Sequence, residues 1–215
     1  VEIPKPSSVD RLSVLTPLLD AATHLERVRW IRSLDGREQH RLFDLAKEGG
    51  PLRASDLYRG EGEVVAHLGR NGLALFNLFQ KRCTLIGGEL AGYNHNESPR
   101  WVRGLLGRVI GPGHYVFYDA PEADREVWID YRRVPTAQHP AFPALVSNES
   151  GLRQLVYGNL VDVLRRVSEH VFIGDSYKNL PREDKPPLLT RLASRLAATA
   201  PFVLCQAPRG EVVPD

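Results

Sequence analysis

Along the N-terminal part of the chain, apolar side chains recur at helical spacing, and the pattern predicts a series of short helices. Ser8 and Asp10 offer caps for a first helix running to about Ala22, with Leu12, Leu15, Leu18 and Leu19 as its apolar stripe and Pro17 as a kink point. Thr23 caps a second, in which Leu25, Val28, Ile31 and Leu34 repeat until Asp35-Gly36 ends it. A third, at about 37–48, carries Leu42, Phe43 and Leu45 and stops at Gly49-Gly50-Pro51, and a turn at Ser55–Arg59 completes the helical part. Helices of this length are marginal alone. Their stripes need a surface to cover, either a sheet beneath them or a partner protein.

From Glu63 the period shortens and strands become the better reading. They are predicted near 63–68, 73–79, 81–86 and 88–93, with Gly69-Arg70-Asn71-Gly72 and Gly87-Gly88 as turns; 73–86 also fits a helix through Leu75, Phe76 and Phe79. Residues 94–112 form a Gly- and Pro-rich connection with one helical turn at Trp101–Leu106. The strongest strand signal follows at 113–134. There His114-Tyr115-Val116-Phe117-Tyr118 and Val127-Trp128-Ile129-Asp130-Tyr131-Arg132 flank a polar connection, Pro121 to Asp124, in a β-hairpin pattern. Pro135, Pro140 and Pro143 then mark an irregular loop around His139.

Residues 151–178 satisfy two patterns. Leu152, Leu155, Val156, Leu160, Val163, Leu164 and Val167 fit a helix, whereas Gly158-Asn159 and Ser168-Glu169 punctuate strands at Gln154–Tyr157, Leu160–Val167 and His170–Tyr177. The β-branched content and the Gly-Asn pair decide for strands. Pro181–Pro187 reads as a loop, 188–199 as a helix and Phe202–Cys205 as a closing strand before a polar tail.

With 215 residues, 42% of them hydrophobic and 25% charged, the chain suits one substantial domain rather than two independent ones. A net charge of +2, from 28 basic and 26 acidic side chains spread along the sequence, gives no electrostatic case for nucleic acid or an anionic membrane. Cys83 and Cys205 lack neighbours at metal-site or CxxC spacing, so a zinc site and a dithiol redox motif are not indicated. No apolar run approaches a membrane span, and VEIPKPSSVD holds no apolar core of a signal; the expectation is a cytoplasmic protein.

Val171-Phe172-Ile173-Gly174-Asp175-Ser176 resembles the strand-and-nucleophile block of the GDS-type serine hydrolases. That family places its remaining catalytic residues downstream, and no histidine follows Ser176 here, so the match reads as a strand ending in a turn. Gly104, Gly107, Gly111 and Gly113 do not form a phosphate-binding fingerprint. The histidines show no HExxH pattern, which leaves only a metal site assembled from distant strands, and no cofactor is called for. More chemistry lies in polar groups set among apolar strand neighbours: His114, Tyr118, Asp130, Tyr131 and Asp162, with His170. In the second hairpin arm Val127, Ile129 and Tyr131 share one face, and Trp128, Asp130 and Arg132 the other. An interior Trp128 face would enclose Asp130 and Arg132, which must then pair or line a wet cavity. An interior Tyr131 face gives a conventional core and leaves Asp130 to solvent.

The order RQLVYGNLVDVLRRVSEHVFIGDSYK, a gap, and then PFVLCQ resembles the closing strands of lipocalin-like, or calycin, β-barrels, including the GxWxG-type proteins, although the GxWxG block is lacking and its nearest counterpart here, GLALFNLFQKRC, has no tryptophan. That resemblance implies an antiparallel barrel with an interior suited to small apolar molecules, and carries over no catalytic residue. The expected fold is α+β: a helical segment at 1–60, an antiparallel β-barrel or strongly curved sheet with one C-terminal helix at 61–210, and a tail at 211–215. The expected function is binding of a small hydrophobic or amphipathic molecule, with His114, Tyr118, Asp130, Tyr131 and Asp162 as polar anchors. Two alternatives stand beside it: acid/base chemistry (isomerase, cyclase or hydratase) in the same cavity, and a homodimer or protein partner held through the N-terminal helices.

Overall fold

The helical period of the N-terminal residues becomes α1 (Leu12–Ala21), α2 (His24–Ser33) and α3 (Gly36–Leu45) in the computed structural model, which describes residues 2–72, 77–97, 111–121, 125–149, 151, 153–178 and 198–210. A capping box starts α2: the Glu26 amide donates to Thr23 Oγ1 at 3.3 Å, and Glu26 Oε2 accepts from the Thr23 amide at 2.7 Å. These bonds hold the Glu26 carboxyl down at about 2. Asp35-Gly36, expected to end α2, begins α3 instead. The Asp35 carboxylate accepts from the Glu38 amide at 2.9 Å, and a capping aspartate satisfies a donor that the helix cannot.

The strands are β1 (Val65–Asn71), β2 (Leu78–Ile86), β3 (Glu89–Asn96), β4 (His114–Asp119), β5 (Glu126–Asp130), β6 (Leu160–Arg166), β7 (Val171–Lys178) and β8 (Ala198–Gln206). Each pairs antiparallel with its sequence neighbours, and β1 pairs with β8, so the sheet closes into a barrel without edges. Alternation then sorts the side chains. Val65, Phe79, Cys83, Tyr115, Phe117, Val127, Ile129, Leu164, Phe172, Phe202 and Leu204 meet in one interior cluster. Leu68, Val163, Val171, Ile173, Val203 and Cys205 point outward from β1, β6, β7 and β8 and form a second cluster with Leu15 and Leu19 of α1, Ile31 of α2 and Leu42 of α3. The helices thus bury their stripes on one flank of the barrel, which stabilises roughly 1.5–3 kcal/mol per large side chain. Among the described residues, Val14, Leu25 and Val156 are the large apolar side chains left exposed.

The two ends of the barrel differ. At one end the connections are short, 87–88, 120–125 and 167–170, and a 3-10 turn at Ala54–Asp56 seals it by sending Leu52 and Leu57 into the interior cluster. Arg166 clamps that turn through an ion pair with Asp56. At the other end the connections span 72–77, 97–113, 131–159 and 179–197.

Several local expectations change. The strands expected at 73–79 and 81–86 are one strand, β2, and residues 73–76 lie outside the described residues. Gly69 and Arg70 continue β1 instead of turning because they pair with both β2 and β8, and Asn71 continues it by pairing with Phe202 of β8. Gln154–Tyr157 belongs to a short helix, α4 (Arg153–Tyr157), not to a strand. Asn159, with φ of 55°, ends that helix; the left-handed preference that marks a hairpin turn serves equally well after a helix. Residues 171–178 continue as β7 through Gly174-Asp175-Ser176 with no turn there. The helix expected at 188–199 falls on residues 179–197, outside those described, and Ala198 and Thr199 already belong to β8. The helical turn at Trp101–Leu106 and hairpin residues 122–124 also lie outside them. No helix among the described residues is long and apolar enough to cross a membrane.

One packing device recurs inside the barrel. Gly69 pairs across strands with Phe79, Gly92 with Tyr115 and Gly174 with Phe202, and each ring lies over the glycine opposite. A Cβ on Gly174 would sit 2.3 Å from the Phe202 ring. Gly174→Ala is expected to destabilise the protein by about 1–3 kcal/mol through overpacking, read as a lower urea midpoint with unchanged far-ultraviolet circular dichroism. An unaltered midpoint would show that the ring is not fixed there.

Candidate functional site

Lys81 sits on β2 between Phe79 and Cys83, so alternation carries its side chain into the barrel. It is 3% exposed. Register supplies its partners, since Lys81 pairs across strands with Asn94 of β3, and Asp162 of β6 pairs with Ser176 of β7. Lys81 Nζ donates to Asp162 Oδ2 at 2.8 Å, to Asn94 Oδ1 at 3.1 Å and to the Tyr131 hydroxyl. That hydroxyl donates to Asp162 Oδ2 at 3.1 Å and accepts from Asn94 Nδ2 at 2.8 Å, while Ser176 Oγ donates to Asp162 Oδ1 at 2.7 Å. The ammonium therefore has three acceptors for its three protons.

Aromatic rings enclose the pair. The Lys81 ammonium lies 4.9 Å from the Phe202 centroid, 5.1 Å from Tyr131, 5.2 Å from Tyr115 and 5.6 Å from Phe79. The rings of Phe79, Tyr115 and Phe202 are those lying over the three interior glycines. Burial pulls the Lys81 ammonium below its ordinary value, and the Asp162 carboxylate opposes that shift. Burial also holds the Tyr131 phenol well above its usual range. Asn94 and Ser176 are half-buried and lie toward the barrel end with the long connections, so the cluster reaches from the interior toward that mouth.

Between the cluster and Leu57 lies a cavity of about 10 Å3, lined in part by Lys81, His67, Cys83 and Leu164. That is room for about one water. His67 is buried, its Nδ1 lies 3.9 Å from Cys83 Sγ, and its Nε2 has no hydrogen-bond partner. Burial pushes this imidazole down to about 4, with the charges of Arg59 and Lys81 acting in the same direction, and pushes the Cys83 thiol up to about 12.

No family model, curated protein or solved structure matches the chain.

The anchors named from the sequence divide between two faces of the sheet. Tyr131 and Asp162 share the interior and touch. Tyr118, Asp130 and His114 lie on the outer face. There the Arg132 guanidinium grips Asp130 through both carboxylate oxygens, at 2.8 and 2.7 Å, and the Tyr118 hydroxyl donates to Asp130 Oδ2 at 3.1 Å. The Tyr131 face is interior, yet Asp130 does not meet solvent, because Arg132 covers it. His114 Nε2 lies 3.1 Å from the Ala144 carbonyl, and Asn148 donates to the carbonyls of His114 and Tyr131 at 2.6 and 2.8 Å, which ties the irregular segment to the barrel wall. His170 lies in the β6–β7 turn, its carbonyl accepting from the Gln206 amide at 2.9 Å. Among the described residues, no three metal-ligating side chains converge.

Sequence reasoning missed Lys81, Asn94 and His67. The signal was a lone lysine alternating with Phe79 and Cys83, in a chain that contains five lysines.

Two outcomes follow. Lys81→Met leaves the Asp162 carboxylate buried and uncompensated, so a loss of about 3–5 kcal/mol is expected, and adding Asp162→Asn should recover most of it. Urea midpoints at constant m-value read both, and an equal loss in the double variant would refute the pairing. For His67 the unfolded imidazole takes up a proton near 6.5, whereas the folded one resists until about 4. Its contribution, about 3 kcal/mol, is complete above about pH 6.5 and is lost as pH falls from there to about 4. His67→Leu should flatten the fall in urea midpoint over that window, and an unchanged pH profile would remove His67 from the account.

Proposed function

We propose that the barrel binds a small, neutral amphipathic molecule, whose polar group reaches the Lys81–Tyr131–Asp162 cluster from the end carrying the long connections. The observation that carries this reading is a buried ion pair inside a largely apolar interior, with aromatic rings around the ammonium. Replacing such a pair with apolar side chains is often neutral or stabilising, so the fold alone gives little reason to keep it. A hydrogen-bonding ligand gives one, because the cluster supplies a phenol hydroxyl, an ammonium and a carboxylate to a single guest group.

The charges of the site select the guest. Lys81 and Asp162 cancel, and a carboxylate or ammonium ligand would bring an uncompensated charge into low dielectric. A carbonyl or hydroxyl group meets no such cost. The filled interior keeps the ligand's apolar body near the half-buried rim of Asn94 and Ser176, since the cavity below holds only about one water. A lipocalin-like kinship belongs to this proposal: eight strands closed in sequence order is an architecture that family uses. Acid/base chemistry is a second reading of the same site, favoured by the direct contact of an amine, a phenol and a carboxylate. A homodimer or other partner docking on the helices would have Val14 and Leu25 as its exposed apolar contacts.

The test is a thermal-shift series with medium-chain probes of one length: an alcohol, an aldehyde, a carboxylate and an amine. The neutral probes are expected to raise Tm, the charged ones to leave it unchanged, and Lys81→Met/Asp162→Asn to abolish the response. If the neutral probes produce no shift, or if the double variant keeps the shift, the reading fails.

A further inference from the structure

The geometry points to Lys81 as an amine nucleophile that holds an aldehyde or ketone ligand covalently, as an imine inside the barrel. This rests on the binding reading above and adds a bond to it. A lysine amine becomes a nucleophile when its surroundings are apolar and a neighbouring group takes its proton. Both conditions meet at Lys81. Four rings stand around Nζ, and Asp162 Oδ2, 2.8 Å away, is placed to receive a proton. Desolvation of the ammonium favours the neutral amine. Among the described lysines, Lys5 and Lys47 are exposed and Lys178 is half-buried, so this environment belongs to Lys81.

The step balances without any redox partner. Lys81 passes one proton to Asp162, and its lone pair forms an N–C bond to the carbonyl carbon while the C=O π pair moves to oxygen. The oxygen takes the proton from Asp162, and the Tyr131 hydroxyl, bonded to both Lys81 and Asp162, is in place to relay it. The carbinolamine nitrogen then gives a second proton to Asp162, which delivers it to the hydroxyl. The C–O bond breaks, one water leaves, and the nitrogen lone pair closes the C=N bond. An ammonium beside a carboxylate becomes an iminium beside the same carboxylate. The site begins and ends neutral, so the low-dielectric interior carries no net charge in either state. The expelled water has a place to go: the adjoining cavity of about 10 Å3 holds about one, and His67, whose Nε2 has no partner, lines it.

The experiment treats the full chain with nonanal at neutral pH, reduces with sodium cyanoborohydride and maps the alkylated lysines by peptide mass spectrometry. With five lysines in the chain, every site can be scored. Label is expected to fall on Lys81 in clear preference to the exposed Lys47, because desolvation favours the neutral amine at Lys81. The same reaction in guanidinium chloride should spread it evenly. Thermal shifts with nonanol and nonanal separate the two claims. If both raise Tm while Lys81 stays unmodified, the imine is overturned and the binding reading stands. If neither raises Tm and label falls only on Lys5, Lys47, Lys178, Lys185 or the N-terminus, both are overturned. Wild-type protein suffices, so no variant needs to fold.

Discussion

A positive charge inside a barrel is the constraint around which this structure is arranged. An ammonium removed from water needs a counter-charge, an acceptor for each proton and polarisable surroundings. Lys81 finds the first in Asp162, the second in Asp162, Asn94 and Tyr131 together, and the third in four aromatic rings. Apart from Phe79, these partners come from other strands or their ends. Their arrival at one point depends on the register of the whole sheet, and a one-residue slip of β2 would turn Lys81 to the outer face.

The rings have their own requirement. Phe79, Tyr115 and Phe202 can lean across the interior because glycine stands opposite each of them. A side chain at any of those positions would push its ring toward Nζ or out of the cage. Beside the Tyr115 ring, the cavity next to Lys81 measures about 10 Å3. Side-chain packing fills the space beside Lys81, which is why the proposed guest is placed at the mouth and not in a hollow interior.

Much of the architecture was legible in the sequence because it is local. Thr23 with Glu26 announces a helix start, Gly87-Gly88 a turn, and the 113–134 alternation a hairpin. Each signal is read within a few residues and each appears in the structure. Gly158-Asn159 misled because a left-handed asparagine ends a helix as readily as it turns a hairpin. The site was less legible. Asp162 and Tyr131 stood out as polar groups in strands, but Asp130 looked equivalent to them, and only the closed sheet shows it on the opposite face, gripped by Arg132. Lys81 drew no attention because one charged residue in an alternating strand normally faces water. What sends it inward is the inward set of β2, Phe79 and Cys83, fixed by pairing with β1 and β3.

The flank that the helices cover is built from β6, β7, β8 and β1, with Val163, Ile173, Val203 and Cys205 beneath Leu15, Leu19, Ile31 and Leu42. The helices precede β6, β7 and β8, which supply most of the surface that shields them, by more than a hundred residues. On a ribosome, a nascent chain carrying α1 to α3 has no dry face to offer their leucines until β8 has emerged and met β1. Closing the barrel pairs β1 with β8 across more than a hundred residues of sequence, and contacts of such separation carry a loop-closure cost that slows folding. Until β6, β7 and β8 emerge, the apolar stripes of α1 to α3 lack the barrel surface that covers them in the folded protein, a transient exposure of the kind that chaperones hold.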